Sequence, residues 1–293
     1  MTGNLTLKRL NIMHKFSLPS PAKLNLMLRI TGRRADGYHN LQTIFQFLDY
    51  GDTLDFELRQ DGLIVLQHDL TDVADDDNLI IKAAKSLQQA ANCKFGATIT
   101  LHKKIPMGAG LGGGSSNAAT TLLGLNVLWK LDWQAAQLSQ LGLHLGADVP
   151  IFIFGRSAWA EGIGEQLIAL DLPKTAYLVL RPDCKISTRE IFCHPALTRD
   201  STPIKVAASE AQDGRNDCES VVTAQYPAVD NALSWLRQYG KGKLTGTGSC
   251  VFLECASLEQ AHKLLSDCPF NGFVATGQNT SPTHQALMLI SKE

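Results

Sequence analysis

Five glycines stand within the seven positions from Gly108 to Gly114, and two serines, Ser115 and Ser116, follow at once. Ordering so many glycines costs chain entropy, and such a loop is typical of a backbone whose N–H groups converge on an anion without side chains in the way. Apolar residues at helical spacing begin after Asn117 and predict a helix, whose first N–H groups and dipole would favour the same anion. The stretch therefore predicts a loop that binds the phosphates of a nucleotide. A flexible hairpin or a tight turn at a crowded packing site is the alternative.

This loop is not a Walker P-loop, because no Lys-Ser or Lys-Thr pair follows its last glycine. Gly108, Gly110 and Gly113 do match the G-x-G-x-x-G fingerprint of dinucleotide-binding proteins, and a predicted strand over residues 97–103 precedes them. In that fingerprint a carboxylate for the ribose ends the second strand, whereas the next acidic residue here, Asp132, heads a predicted helix. An NAD(P)-dependent oxidoreductase is therefore a less favoured alternative.

Lys23 and Asn25 lie on the same face of a segment that alternates polar and apolar residues from Ala22 onward. The alternation predicts a strand with its apolar face in the core, and it places Lys23 and Asn25 roughly 6–7 Å apart along the strand. A lysine there could stabilise negative charge that develops on a reacting oxygen. An ordinary solvated strand lysine is the alternative.

Asp148 lies between a helix that Gly146 ends and a predicted strand over residues 149–154, with Pro150 requiring extended backbone before it. Its neighbours are apolar, so burying this carboxylate would be costly unless it is paired or used in chemistry. A carboxylate in that position is a candidate general base. A capping or turn aspartate is the alternative.

The elements that would position these groups follow from the spacing of apolar residues. Strands of an antiparallel sheet are predicted over residues 41–48, 52–58 and 63–68, and further strands over 97–103, 176–180 and 273–276. Helices are predicted over residues 79–91, 116–130, 133–145, 217–225 and 227–239, with a short helix opened by Ser187 and another from Ser257. Expected helix caps are Asp75, Asp76, Asp77 and Asn78 for the first helix and Asp132 for the helix over 133–145.

The character of the sequence changes after residues 161–165 (EGIGE), and we predict a domain boundary there. The two predicted domains are residues 1–165 and 166–293. In the second domain, residues 244–252 (LTGTGSCVF) predict another loop rich in glycine and serine that runs into a strand. Residues 194–216 are polar and irregular, which favours a mobile surface loop.

Bulk properties exclude several classes of protein. The formal net charge of −1 at pH 7 gives no basic footprint for nucleic acid, and no run of about eighteen apolar residues predicts a membrane span. The seven cysteines are scattered without a C-x-x-C pair, which favours reduced thiols over disulfides or a zinc site. We therefore expect a cytoplasmic enzyme with no nucleic-acid or membrane partner. The N-terminus carries no signal-peptide pattern.

Three separated segments resemble the three motifs of the GHMP small-molecule kinases, which include galactokinase, homoserine kinase and mevalonate kinase. They are PSPAKLNL at residues 19–26, PMGAGLGGGSSNAA at 106–119 and LTGTGSCVF at 244–252. The resemblance runs from Pro19 to the C-terminus and is specific because the three motifs occur in order. Within the family, the segments RADGYHNLQTIFQFLDYGD, LGADVPIF and NDCE are most similar to those of the members that act on a cytidine-diphosphate substrate.

The resemblance implies an α+β, two-domain GHMP kinase fold, with a ribosomal-protein-S5-like N-terminal domain and a ferredoxin-like C-terminal domain around the active site. It implies phosphorylation, by ATP with Mg²⁺, of the 2-hydroxyl of 4-diphosphocytidyl-2-C-methyl-D-erythritol, in non-mevalonate isoprenoid synthesis. Partners would be this small-molecule substrate and ATP, with the protein as a monomer or a homodimer. Another GHMP kinase, acting on homoserine or mevalonate, is one alternative, and a nucleotide-binding regulator without turnover is another.

The resemblance also assigns roles by position. The catalytic residues would be Lys23 and Asp148. The ATP phosphate loop would comprise Pro106, Met107, Gly108, Ala109, Gly110, Leu111, Gly112, Gly113, Gly114, Ser115 and Ser116. The substrate would be held by Asn25, Tyr38, His39, Thr188 and Phe192. Ser115 or Ser116 would reach Mg²⁺, and the flat rings of Tyr38 and Phe192 suit the faces of a cytosine.

Overall fold

The structure, a computed structural model, describes residues 14–68, 77–205 and 214–290 of the 293-residue chain. Its strands are β1 (Lys15–Arg33), β2 (His39–Arg59), β3 (Ile64–Gln67), β4 (Gly96–His102), β5 (Ala158–Glu161), β6 (Gln166–Ala169), β7 (Ala176–Leu180), β8 (Lys243–Leu244), β9 (Val251–Cys255) and β10 (Gly272–Gln278). Its helices are α1 (Leu79–Ala90), α2 (Gly113–Leu128), α3 (Ala135–Leu143), α4 (Val149–Phe154), α5 (Thr188–Cys193), α6 (Glu219–Gln225), α7 (Pro227–Arg237), α8 (Leu258–Ser266) and α9 (Pro282–Ile290). Among these helices, none is long and apolar enough to cross a membrane.

One ten-stranded sheet runs through the described part of the chain, and β2 lies within it as the strand with most partners. β2 pairs antiparallel with β1, β4, β5 and β10, so it joins the N-terminal strands to β7, β9 and β8. It is one continuous strand where two were predicted, over 41–48 and 52–58. β3 pairs parallel with β4, so the expectation of a purely antiparallel sheet is wrong at this edge. The helix α1 lies between β3 and β4 in the chain and provides the crossover that a parallel pair requires.

Apolar side chains form two main cores. One lies beneath α1, α2 and α4 against the N-terminal strands, and the other lies among α5, α6, α7 and the C-terminal strands. β5 and β6 form a hairpin whose turn spans residues 162–165, where the domain boundary is predicted. The last elements of the chain return to the first half, because β10 pairs with β2 and α9 packs on β1.

Residues 149–154 form the helix α4, so the strand predicted there is wrong. A run of six apolar residues fits a buried strand or a buried helix equally well, and its pattern does not separate the two. Pro150 stands in the first turn of α4, where the N–H that proline lacks would have no intrahelical acceptor. Gly155 ends the helix in a left-handed conformation, with φ of 71°. Asp148 is consequently the N-cap residue of a short buried helix.

Three other expectations concern caps and loops. Asn78 caps α1, since its Oδ1 accepts a hydrogen bond from the N–H of Ile80 at 3.0 Å; Asp75 and Asp76 lie outside the described residues. Gln134 caps α3, and not Asp132, which takes a left-handed φ of 55° before the helix begins. Residues 194–205 contain no helix or strand, as expected of a surface loop, but the side chains of Leu197 and Ser201 are buried against the fold. Residues 206–213 of that segment lie outside the described residues.

We expect the free energy of unfolding to fall as the pH drops below about 6.5, the ordinary pKa of histidine. His284 on α9 is largely buried, with Nε2 3.0 Å from the carbonyl oxygen of Ile153, and burial lowers its pKa. Between the lowered pKa and the ordinary value the unfolded chain binds the proton that the folded chain refuses, so acid favours unfolding. Denaturant unfolding at a series of pH values measures this slope. His284→Gln keeps a donor to Ile153 but does not titrate, and should flatten the slope; an unchanged slope would contradict the assignment.

Candidate active site

The sequence-predicted site residues converge on one cavity of about 1120 Å³. Its walls come from β1, β2, the loop before α2, the start of α2, the N-cap of α4 and the helix α5. All of the candidate residues except Ser116 line it. Groups that lie 125 positions apart in the chain, such as Lys23 and Asp148, therefore face one space.

The glycine loop forms one wall of this cavity. Gly108, Gly110 and Gly112 have φ values of 64°, 74° and 73°, a left-handed conformation that glycine adopts without steric cost. Between them, the side chains of Ala109 and Leu111 are buried in the core beneath the loop. Alternate residues thus anchor the loop, and the glycines leave its other side open to the cavity.

The first turn of α2 offers N–H groups to a ligand. Gly112 is the N-cap residue and provides no side-chain cap. The first N–H to find a backbone acceptor is that of Ser116, 2.8 Å from the carbonyl oxygen of Gly112. Within the described residues, the N–H groups of Gly113, Gly114 and Ser115 have no acceptor, and they open onto the cavity at the positive end of the helix dipole. This arrangement suits phosphate oxygens.

Ser116 lies behind the cavity wall. Its side chain is fully buried, and its hydroxyl is 2.8 Å from that of Ser20. Asn117 donates to Ser20 and to Asp52, both at 2.9 Å. Asp52 also accepts from the N–H groups of Lys104 and Ile105 at 2.7 Å, so this buried network fixes the start of α2 to the strand end that enters the loop. The Ser115 side chain faces the cavity, whereas Ser116 braces the wall.

The second glycine-serine loop, at residues 244–252, packs directly against the first. The N–H of Cys250 donates to the carbonyl oxygen of Ala109 at 3.1 Å. A Cβ atom on Gly110 would lie 2.3 Å from the carbonyl oxygen of Thr245, so glycine is required by this close approach. Thr245 also accepts, at Oγ1, from the N–H of Asn25 at 3.0 Å. The two loops and β1 are therefore held in one arrangement.

Lys23 is buried, with 3% of its side chain exposed, so the solvated alternative is wrong. Its ammonium group lies 2.6 Å from Asn25 Oδ1, 3.2 Å from the carbonyl oxygen of Gly110 and 3.2 Å from Asp148 Oδ2. An ammonium group has three N–H donors, so these three acceptors occupy all of them. A ligand oxygen that binds Lys23 must therefore replace one of these partners, and Asp148 is the acceptor that is most exposed.

Asn25 is buried and its amide is oriented by its neighbours. Its Nδ2 donates to Thr43 Oγ1 at 2.9 Å, and the Thr43 hydroxyl donates to the carbonyl oxygen of Met27 at 2.6 Å. The amide oxygen is thereby turned towards Lys23. A β-bulge between Asn25 and Met27 interrupts the predicted alternation of β1, and side chains on both faces of this strand are buried.

Asp148 keeps its carboxylate available to the cavity. It is the N-cap residue of α4 but makes no capping hydrogen bond, and 35% of its side chain is exposed. The helix α4 can approach α3 closely because Gly142 leaves room for Val149 and Ile153, which a Cβ atom would meet at 2.7 and 2.8 Å. Packing thus fixes the backbone of Asp148 opposite Lys23.

The far part of the cavity holds aromatic side chains. The rings of His39 and Phe192 are stacked, with centroids 5.2 Å apart and planes inclined by 25°. Tyr38 is 56% exposed and also lines the cavity. Burial, with further contributions from Arg199 and Arg33, lowers the pKa of His39. An exposed ring beside a stacked pair suits a planar base.

A hydrogen bond connects this aromatic region to the second glycine-serine loop. Thr188 at the start of α5 lies 3.0 Å from Thr247, hydroxyl to hydroxyl, and Thr247 belongs to the second glycine-serine loop. At the other limit of the cavity, Lys103 and Leu79 lie next to Gly113 and Gly114. Thr43, Thr247 and Lys103 also line the cavity and are not among the residues predicted from the sequence, although Thr247 falls within a noted motif and Lys103 is the last residue of the strand predicted over 97–103.

Protein-family profiles match segments in both halves of the chain. The profile of the GHMP kinases N terminal domain matches residues 78–156, and that of the GHMP kinases C terminal matches residues 194–272. β4 is antiparallel to β2, and the described residues hold no second parallel strand after α2 that ends in a ribose-binding carboxylate. The dinucleotide interpretation of Gly108, Gly110 and Gly113 is therefore wrong.

The chain is 55% identical, over 276 residues, to a protein of Pseudomonas syringae pv. tomato named 4-diphosphocytidyl-2-C-methyl-D-erythritol kinase. That alignment covers 93% of this chain and 98% of the relative. A protein of the same name from Pseudomonas entomophila is 52% identical over 284 residues, covering 96% and 99% of the two chains.

Solved structures show the same fold. The crystal structure of a 4-(cytidine 5'-diphospho)-2C-methyl-D-erythritol kinase is 30% identical to this chain, with a TM-score of 0.76 and coverage of 89% of this chain and 99% of that one. A crystal structure of a mevalonate kinase has a TM-score of 0.67 at 17% identity, with coverage of 90% and 99%, and this likeness concerns the fold alone.

Proposed function

The chain belongs to the GHMP kinase family, and we propose that the cavity lined by the glycine loop, Lys23 and Asp148 is where it phosphorylates the 2-hydroxyl of 4-diphosphocytidyl-2-C-methyl-D-erythritol with ATP. The kinase activity and the expected α+β GHMP fold rest on relatives of 52–55% identity over nearly the full length. The placement in the cavity is supported above all by the 3.2 Å contact between Lys23 and Asp148 beside the open first turn of α2.

In this proposal the glycine loop and α2 hold the phosphates of ATP. The unpaired N–H groups of Gly113, Gly114 and Ser115 donate to phosphate oxygens, and the helix dipole favours the negative charge. Phosphoryl transfer depends on positioning and on electrostatic stabilisation more than on covalent help from the protein. The rigid packing of Ala109 and Leu111 below the loop provides that positioning.

Asp148 acts as the general base. Its carboxylate accepts the proton of the attacking hydroxyl, and the oxygen that becomes nucleophilic takes over a hydrogen bond from Lys23. Asn25 and the carbonyl oxygen of Gly110 hold the ammonium group while that exchange occurs. Tyr38, His39 and Phe192 bind the cytosine, and Thr188 and Asn25, which line the same cavity, hold the rest of the substrate.

Magnesium would be held mostly by the phosphates of ATP. In the described residues no group of three or more His, Cys, Asp or Glu side chains forms a metal site. Mg²⁺ is commonly held by one or two protein side chains together with phosphates and water. The half-buried Ser115 hydroxyl at the first turn of α2 would be one such ligand. When bound, the ion would neutralise charge on the phosphates. The buried Ser116 hydroxyl is paired with Ser20 and is assigned a bracing role.

We also propose the setting in which the enzyme works. All seven cysteines are free, which suits a reducing cytoplasm. Every residue of the proposed site comes from one chain, so either a monomer or a homodimer is compatible with activity. The domains are taken as residues 1–165 and 166–293, with the site between them.

The direct test incubates the purified protein with ATP, Mg²⁺ and 4-diphosphocytidyl-2-C-methyl-D-erythritol. We expect stoichiometric ADP and a product heavier by one phosphoryl group, with the new ³¹P resonance coupled to the 2-position. Homoserine and mevalonate, offered separately, should give no product. Turnover of either one in place of the cytidine compound would contradict the proposed substrate, and ATP binding without any product would favour the regulator alternative.

Gly110→Ala should raise KM for ATP by about tenfold or more. The new Cβ would lie 2.3 Å from the carbonyl oxygen of Thr245 and 2.9 Å from that of Gly248, so the two loops must separate. Overpacking of this kind costs about 1–3 kcal/mol. Steady-state kinetics with ATP varied measures the effect.

Gly108→Ala is the matched control for Gly110→Ala. Gly108 also has a left-handed φ, of +64°, but nothing lies within 4 Å of its Cβ position. Both variants therefore bear the conformational strain, and only Gly110→Ala bears the contact with the second loop. Equal KM values for the two variants would show that the contact between the loops does not position the phosphates.

A further inference from the structure

Arg199 connects the segment after α5 to the aromatic part of the cavity. Its guanidinium donates to three carbonyl oxygens, those of Leu197 at 3.1 Å, Phe192 at 3.0 Å and His194 at 2.7 Å. Its Nε–H points at Nε2 of His39, 3.2 Å away. The carbonyl contacts anchor the group, so its direction towards His39 is fixed.

This contact determines where the imidazole proton of His39 resides. A guanidinium has only donors and stays protonated in proteins, so Nε2 of His39 has to be the acceptor. A neutral imidazole that accepts at Nε2 carries its proton on Nδ1. A doubly protonated ring would set an N–H against the N–H of Arg199, and this form is disfavoured.

The surroundings of His39 support the neutral form. His39 is 6% exposed and stacks on Phe192, which carries no charge. The charged groups that act on it are Arg199, from the segment after α5, and Arg33, its partner across β1 and β2. Burial and these two cations all lower the pKa of His39.

We propose that Arg199 is a positioning residue that fixes His39 as a hydrogen-bond donor at Nδ1 and thereby makes the base site select cytosine over uracil. The proposal rests on the proposed function. His39 lines the cavity, and its Nδ1 has no partner among the described residues. Cytosine has an acceptor at N3, whereas uracil has an N–H donor there. A fixed donor therefore matches the first base and opposes the second, and such a mismatch commonly costs about ten- to a hundredfold in kcat/KM.

The first experiment reads the tautomer without any need for activity. In the protein labelled with ¹⁵N at histidine, the ring resonances of His39, identified by their loss in His39→Gln, should show a protonated Nδ1 and an unprotonated Nε2. In Arg199→Met the two nitrogens should move towards averaged values. A wild-type spectrum with the proton on Nε2 would overturn the proposal, whether or not the enzyme uses the cytidine substrate.

The second experiment measures kcat/KM for the cytidine substrate and for its uridine analogue between about pH 5.5 and pH 8. The wild type should discriminate equally across this range. Arg199→Met should lose about tenfold of the discrimination near pH 8, through KM and not kcat, because the neutral ring can now present an acceptor at Nδ1. Discrimination should return below about pH 6, since an imidazolium carries a proton on both nitrogens.

That recovery in acid separates a role in setting the tautomer from a merely structural one. If Arg199 only held the segment in place, Arg199→Met would impair both substrates at every pH, and this outcome would overturn the proposal. An unchanged ratio at about pH 8 would overturn it as well. A correct tautomer with no turnover of the cytidine substrate would count against the proposed function and not against the assignment of the proton.

Discussion

Asp148→Asn should lower kcat by roughly two to four orders of magnitude while the affinity for ATP stays nearly the same. The amide conserves the shape of the side chain but cannot accept the proton of the attacking hydroxyl. Asp148 makes no capping hydrogen bond, so α4 loses no cap when the charge is removed, and the contact that changes is the 3.2 Å ion pair with Lys23. Single-turnover kinetics and a separate titration with ATP would divide the effect between chemistry and binding.

Asp132→Asn is the matched control, because it makes the same chemical change at an exposed position. Asp132 has a left-handed φ of 55°, which asparagine tolerates well, so its stability and activity should stay close to those of the wild type. A loss of less than about tenfold in kcat for Asp148→Asn would exclude Asp148 as the general base, since that role is commonly worth about a hundredfold or more.

Much of the site was accessible from residue types and spacing. So many glycines in one loop indicate a backbone that is kept free of side chains. Gly108, Gly110 and Gly112 do take the left-handed conformation. Ser187 and Ser257 cap helices where the sequence predicted them. These features depend on interactions between residues that are close together in the chain, so they can be predicted from the local sequence.

Other features depend on contacts with residues that are distant in the chain, so the local sequence does not predict these features. Asp52 reads as an ordinary strand or turn aspartate, yet it is fully buried and holds Asn117. Residues 149–154 read equally well as a strand or a helix until α3 is packed against them. Ser116 follows Ser115 directly, but the turn of the helix directs one hydroxyl to the cavity and the other to Ser20.

Lys23→Met should lower kcat by roughly two to three orders of magnitude, the range observed when one donor to a developing negative charge is removed. Methionine has a similar length and is apolar, so it fills the buried space beside Phe45 and Phe152 without a charge. The oxygen that loses its proton to Asp148 would then lack the ammonium group that stabilises it. Lys104→Met is the control, because Lys104 is an exposed lysine close to the same loop and lies over the ring of Tyr50.

The double variant tests whether Lys23 and Asp148 act together. In the proposed mechanism Asp148 takes the proton from the same oxygen that Lys23 stabilises, so either single change should remove most of what the pair provides. The kcat of the double variant should therefore lie within about tenfold of the worse single variant, as for residues that act as a unit. Kinetics of all four proteins, with melting temperatures to confirm folding, measure the coupling. Losses that multiply in full would mean that the 3.2 Å ion pair is structural and that the two groups act on separate steps.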